Sequence, residues 1–277
     1  MTNDPLSADT ARKAGPPLDL STVPVFRFAG ANIHNVTSRE AVELVLELVQ
    51  APGCTYVVTP NSDHLVQLQI DRLLQVVYRD ASLVLADGMP LVWASRILGE
   101  PLKERVTGAD LLPSVCERAA QKGLAVFFLG APPGVARQAA DKLVQTYSGL
   151  QVTGCYSPPY GFENDPEECQ RIVEMINASG ARLVFVGLGA PKQEYWMHRY
   201  RAELNAGVLL GIGAAIEFAA GSLARAPAWM QKAGLEWFYR LLREPKRLAL
   251  RYLRDFKVFA LIGREWRDKR RRSSGNC

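Results

Sequence analysis

Leu183-Val-Phe-Val-Gly-Leu-Gly-Ala-Pro-Lys192 is the stretch on which the fold turns. Its uninterrupted apolar run is short and rich in β-branched and aromatic residues, which reads as a strand buried on both faces. The glycines that follow make a turn, and the proline suits the opening of the next helix. The same unit recurs upstream. Cys54 to Thr59 is a buried strand that ends at Pro60-Asn61-Ser62 ahead of a helix to about Tyr78. Leu83 to Ala86 is another, ending at Asp87-Gly88 ahead of a helix from Pro90. The alternation continues with helix Asp110 to Gln121, strand Leu124 to Leu129, helix Gly134 to Tyr147, strand Gln151 to Cys155 and helix Pro166 to Ala178. After Lys192 come a further helix, strand Val208 to Leu210 and the turn Gly211-Ile-Gly213. Strands and helices alternating at this spacing predict an α/β fold, a Rossmann-like, mainly parallel sheet with helices on both faces. Ligands of such sheets bind beyond the carboxyl ends of the strands, where the polar motifs of this chain fall.

Outside this alternation, a short strand is expected at Val25 to Phe28, and Thr37-Ser-Arg-Glu40 is a capping box opening a helix through Val49. Residues 1–22 lack an apolar signal segment and read as a disordered leader, residues 23–225 as the catalytic domain, and residues 226–277 as an amphipathic, basic appendage. In the last segment Leu241, Pro245, Leu248, Tyr252, Phe256 and Phe259 recur at helical spacing beside a stripe of Arg240, Arg243, Arg247, Arg251 and Arg254. Such a helix suits a membrane interface or the cover of an anionic ligand; the plainer reading is a solvated helix packed on the core.

A chain of 277 residues, 48% hydrophobic, can bury a full core. Its net charge of +5 is concentrated between Arg240 and Arg272, which selects an anionic partner: nucleic acid, phosphorylated substrate or anionic lipid. Five cysteines without a CxxC pair argue against a disulfide framework or zinc knuckle and suit a reducing cytosol. No apolar run reaches the roughly 18 residues of a membrane span, so membrane contact is expected to be peripheral.

Thr59, Asn61, Asp87, Arg105 and Gln193 stand in separate short motifs at strand ends. Asp-Gly is a common turn pair, yet a carboxylate at a cleft can take the proton of an attacking hydroxyl. Thr59 or Asn61 can cap the following helix or orient a sugar. Arg105 is most simply a surface residue, although its planar fork suits a diphosphate. Gln193 lies in a first helical turn, whose N–H groups favour an anion, and Gly187 and Gly189 permit close backbone approach. Gly130-Ala-Pro-Pro-Gly134 makes a similar, weaker case. The GxGxxG dinucleotide pattern fails at Lys192 and at Ile216, and no P-loop, HExxH or Asp-x-Asp occurs. His34, His64 and His198 are scattered and read as structural. Neither a cofactor nor a metal is expected, and catalysis falls to arginines and helix termini.

Together the motifs resemble the WecG/TagA/CpsF family of bacterial glycosyltransferases. The resemblance is carried by Val58-Thr-Pro-Asn61, Ala86-Asp-Gly88, Glu104-Arg-Val-Thr-Gly-Ala-Asp110, Gly189-Ala-Pro-Lys-Gln-Glu194, Gly211-Ile-Gly213, Arg225-Ala-Pro227 and Gly234-Leu-Glu-Trp-Phe-Tyr-Arg-Leu-Leu-Arg-Glu-Pro245, and runs from about Val25 to about Arg254. It implies inverting transfer of a hexose, N-acetylmannosamine being the family's most familiar donor group, from a UDP-sugar to a polyprenyl-diphosphate-linked sugar at the inner face of the cell membrane. By motif, Asp87 would be the general base, with Thr59, Asn61, Arg105, Gln193 and the glycines Gly130, Gly189, Gly211 and Gly213 around the substrate. Arg240, Arg243 and Arg247 would close over the nucleotide diphosphate. The segment Arg264 to Arg272 lies past the shared motifs and reads as an electrostatic tether to anionic lipid, worth about 1 kcal/mol per basic residue near the surface. Nucleic acid is not an expected partner. Two other readings are a nicotinamide-dependent α/β oxidoreductase, disfavoured by the failed glycine pattern, and a non-catalytic module binding anionic membrane. Donor, acceptor and polymer are not fixed by the sequence, and a homo-oligomer is compatible with it.

Overall fold

The computed structural model describes residues 20–232, 234–243 and 245–274, without the side chains of 228, 232, 240, 247, 248, 250, 251 and 272–274. The leader expected at 1–22 lies almost wholly outside the described residues; Leu20–Thr22 form a 3-10 turn. Strands β1 (Val25–Phe28) and β2 (Ala31–His34) make an antiparallel hairpin. Sequence reading had only the first strand. The turn is Ala29-Gly30, both at positive φ (49° and 86°), the geometry that matches strand twist in a two-residue loop, built here without the usual Asn-Gly signal.

Helix α1 (Ser38–Leu48) starts at the predicted capping box, with both reciprocal bonds of Thr37 and Glu40 formed. After β3 (Thr55–Val58), the single helix expected to Tyr78 is two, α2 (Ser62–Gln67) and α3 (Arg72–Asp80). Asp71 makes the break, its carboxylate accepting from the Leu74 N–H at 3.0 Å and so capping a new helix. The chain continues through β4 (Leu83–Val84), α4 (Met89–Ile97), α5 (Gly108–Lys122), β5 (Ala125–Gly130), α6 (Val135–Thr146), β6 (Gln151–Tyr156), α7 (Pro166–Ser179), β7 (Leu183–Gly187), α8 (Lys192–Tyr200) and β8 (Val208–Gly211). A six-residue helix, α9 (Ala215–Ala220), was too short to show periodicity in the sequence.

Strands β3 to β8 form one parallel sheet in the order β4-β3-β8-β7-β5-β6. Alternate side chains divide between two cores. Tyr56, Val58, Phe127, Leu129, Val184, Val186 and Leu209 face one, packed by α2, α3, α4, α7 and α8. Val57, Val126, Phe128, Leu183, Phe185, Val208 and Leu210 face the other, packed by α1, α5, α6 and α9. Burial on both faces accounts for the continuous apolar runs of the sequence.

The C-terminal stretch is helical: α10 (Ala228–Lys232), α11 (Glu236–Arg243), α12 (Pro245–Asp255) and α13 (Lys257–Ser274). It is not one two-striped helix, because Pro245 opens a separate helix and the chain turns again at Phe256. Nor is the Arg-rich end a free tether. Val258 and Ile262 of α13 are buried in the first core, Glu265 accepts from the Ala29 N–H at 2.8 Å, and Lys269 binds Glu100 at 2.6 Å and the Leu98 carbonyl at 2.7 Å. Among the described residues no helix is long and apolar enough to cross a membrane.

Candidate active site

A cleft of about 1120 Å³ opens over the carboxyl ends of β3, β4, β5, β7 and β8. It gathers most of the residues singled out above: Thr59, Asn61, Asp87, Arg105, Gln193, Gly130, Gly189 and Gly213 all line it. Backbone bonds set its floor. Leu85 N–H donates to Val58 O and Asp87 N–H to Pro60 O, carrying β4 on beside β3 as far as Asp87; Val106 N–H donates to Ala86 O and brings in the segment bearing Arg105.

Asp87 sits half-buried on this floor. Loss of hydration among its neighbours pushes its carboxyl up to about 6, against the pull of Arg105, of the Gly108 N–H that donates to it and of His64; nearby Glu236 adds to the rise. A carboxylate with that proton affinity is ionised at neutral pH and well matched to accept a proton from a sugar hydroxyl. The Gly108 N–H opens α5, and the helix can approach because a Cβ at Gly108 would stand 2.7 Å from the Ile212 carbonyl.

Arg105 is not a surface residue. Its side chain is 17% exposed and its guanidinium binds Glu236 of α11 at 3.3 Å, and Glu236 also meets Arg225 at 3.5 Å. Arg225 in turn holds Asp110 at 2.7 Å, whose other oxygen accepts from the Thr107 hydroxyl that caps α5. This four-charge chain joins motifs that lie about half the sequence apart.

Beneath the floor runs a buried polar network. The Thr59 hydroxyl donates to Gly211 O at 2.9 Å, and Gly213 N–H donates to Gln193 Oε1 at 3.2 Å. Gln193 Nε2 donates to Glu194 Oε1 at 2.8 Å, and His64 Nε2 meets the same oxygen at 3.2 Å. His64 Nδ1 closes the capping box of α2 by accepting from the Asn61 N–H, while Asn61 Oδ1 accepts from the Asp63 N–H. Asn61 is therefore the helix cap as well as a wall of the cleft. Glu194 is fully buried, and its Oε2 meets no hydrogen-bond partner among the described residues. Gln193 is 2% exposed, and its own N–H is bonded to Gly189 O, so that N–H is not one of the donors left open for an anion.

Two expected residues are placed differently. Gly211 lies under the cleft, where a Cβ would meet Met197 at 2.7 Å. Arg243 is exposed, its guanidinium 5.3 Å from the Tyr239 ring centre, and does not line the cleft. The side chains of Arg240 and Arg247 lie outside those described. Sequence reading missed His64, Glu194 and Glu236 as parts of the site. His64 was legible as the third helical residue after an Asn cap, the partner position of a capping box; Glu194 and Glu236 stand inside quoted motifs, but their roles were not legible because their partners come from distant segments. Among the described residues no three His, Cys, Asp or Glu side chains are grouped to hold a metal ion.

The profile of the glycosyl transferase WecG/TagA/CpsF family matches residues 26–273. The likeness thus extends through α13 and past the limit near Arg254 expected from motifs. The chain is also similar to the N-acetylglucosaminyldiphosphoundecaprenol N-acetyl-beta-D-mannosaminyltransferase of Bacillus spizizenii (strain ATCC 23059 / NRRL B-14472 / W23), with 33% identity over 192 residues, 69% of this chain and 72% of that protein. A parallel α/β sheet with a C-terminal helical stretch, the ordered motifs brought into one cleft and a profile match over nearly all described residues lead to one assignment: the chain belongs to the WecG/TagA/CpsF family of glycosyl transferases.

Proposed function

We propose that this glycosyltransferase moves an N-acetylmannosamine-type hexose from a UDP-sugar to a sugar carried on a polyprenyl diphosphate, with inversion and without a divalent metal. The observation that carries the reading is Asp87: a carboxyl raised to about 6 on the floor of a large cleft, beside Arg105 and below the glycine turns at the ends of β5, β7 and β8. The acceptor hydroxyl gives its proton to Asp87 as its oxygen attacks the anomeric carbon from the face opposite the departing UDP. The bond from that carbon to the diphosphate oxygen breaks, and the charge on UDP is met by Arg105 and the backbone N–H groups of the turns. The Bacillus relative, an N-acetyl-beta-D-mannosaminyltransferase acting on N-acetylglucosaminyldiphosphoundecaprenol, supports the choice of transferred sugar and of acceptor class. On this reading the protein works as a peripheral protein at the inner face of the cell membrane, and the exposed side chains of Trp229, Leu242 and Leu253 together with the cations of α13 supply the contact surface.

The test is UDP release from a panel of UDP-sugars by purified protein in chelator, with a lipid-diphosphate-linked N-acetylglucosamine acceptor and Asp87→Asn in parallel. Acceptor-dependent release with one donor, lost in the variant, is the expected result. Release that requires a divalent ion, or that survives in Asp87→Asn, refutes the mechanism.

A further inference from the structure

The cleft has two chemical halves. Its floor is polar, whereas the wall that begins two residues after the base is apolar: Met89 and Trp93 from α4, Trp237 from α11, Tyr252 from α12, and Phe256 and Phe259 at the turn into α13. The rings pack in two groups along this wall. Trp93 stacks on Phe259 with centroids 6.4 Å apart, Phe259 meets Phe256 at 5.8 Å, and Trp237 meets Tyr252 edge-on at 6.0 Å. The wall is anchored where α11 begins, since Gly234 comes so close to α4 that a Cβ would stand 2.5 Å from Met89. Yet Phe256, Phe259 and Trp237 remain 57%, 44% and 37% exposed. Large aromatic side chains left in contact with water along one side of a cleft mark a surface that a ligand covers.

The ligand that covers this wall has a polar head reaching toward the floor of the cleft and an apolar tail several rings long. A nucleotide sugar supplies the head but only one flat base; a prenyl diphosphate supplies both. We infer that the aromatic wall of Trp93, Trp237, Tyr252, Phe256 and Phe259 is a subsite for the first isoprenoid units of the acceptor lipid, an inference that rests on the lipid-diphosphate acceptor proposed above. The subsite lets the enzyme draw the diphosphate to its floor by holding the chain beside it, and it discriminates lipid-linked from water-soluble sugar diphosphates.

The experiment is calorimetric titration of the intact chain, free of vesicles, with inorganic diphosphate and with geranyl, farnesyl and geranylgeranyl diphosphate below their aggregation limits. Affinity is expected to climb with chain length, by about tenfold or more from inorganic to farnesyl diphosphate, because apolar area is buried with each added unit. The gain should vanish in Phe256→Ala/Phe259→Ala and persist in Phe256→Leu/Phe259→Leu; Trp237→Ala, on another helix, should reduce it independently. Affinity for UDP and sedimentation with phosphatidylglycerol vesicles should be the same in wild type and double-alanine variant. Equal affinity for inorganic and farnesyl diphosphate, a length dependence that survives the alanines, a parallel loss of vesicle binding, or a selective loss of UDP binding would each overturn the subsite. Length-dependent binding without turnover of any UDP-sugar would uphold the subsite while refuting the transfer reaction.

Discussion

Replacing Asp87 by asparagine should abolish turnover and at the same time stabilise the protein. The carboxyl has an ordinary value of 3.8 and is held at about 6 in the fold, chiefly by lost hydration. The folded protein thus binds the proton more tightly than the unfolded chain. Below 3.8 both states are protonated and the residue costs nothing; as pH rises from 3.8 through about 6 the folded state must give up that proton, and stability is lost; above about 6 the full cost is in force. At 1.36 kcal/mol per pH unit the upper bound is about 3 kcal/mol, and because part of the group faces cleft water about 2 kcal/mol is the expected figure. Asparagine stays neutral, keeps an oxygen for the Gly108 N–H and carries no such cost. Thermal unfolding of wild type and variant from pH 4 to pH 8.5 should show curves that meet at the acid end and separate to roughly 5 °C at pH 8, the variant being the more stable. In the same samples kcat/KM of the wild type should fall about tenfold per pH unit below about 6, and the variant should lose on the order of a hundred- to ten-thousandfold. A variant no more stable than wild type at pH 8, or a gap independent of pH, would refute the claim that the carboxylate is held against its solvation preference.

The charge chain makes paired predictions of opposite sign. Glu236→Gln removes a negative neighbour of Asp87 and should move the acid limb of kcat/KM to lower pH by roughly half a unit, whereas Arg105→Gln should move it to higher pH; shifts in the same direction would contradict the assignment. His64→Ala leaves Glu194 buried with one partner fewer and should cost about 3 kcal/mol in urea denaturation, with Glu194→Gln in the same chain recovering part of the loss; additive losses would argue that the two groups do not interact. Gly130→Ala should destabilise by more than about 2 kcal/mol in the same assay, since φ is +109° and the new Cβ would lie 2.3 Å from Gly187 O; a neutral outcome would mean that β5 and β7 can separate at no cost.

Much of this architecture is legible in the sequence because its local signals are strong. Buried parallel strands print as unbroken apolar runs, and the Thr37 capping box prints as Thr-x-x-Glu. What was illegible is non-local. Ala29-Gly30 turns a hairpin without turn-forming residues, and Asp71 breaks a periodic run by capping from within it. Glu236 and Glu194 acquire their roles only when α11 meets Arg105 and α8 meets His64. The C-terminal stripes misled for a related reason. A list of positions at helical spacing has no way to register that the chain turns at Pro245 and Phe256, or that Val258 and Ile262 dive into the core. One practical result is that cutting the chain at Gly234, the natural test of a detachable appendage, would strip two side chains from the interior, so point substitutions on the exposed faces of α11 to α13 are the cleaner probe.

The bond between Ala29 and Glu265 joins residues 236 positions apart and ties α13 to the turn of the β1–β2 hairpin. The sheet and its polar floor come from β3 to β8 and the turns that follow them, whereas the aromatic wall is completed by α11 to α13, whose Val258 and Ile262 are buried in the first core. Loosening that anchor would open the aromatic side of the cleft while leaving Asp87 in place on the floor.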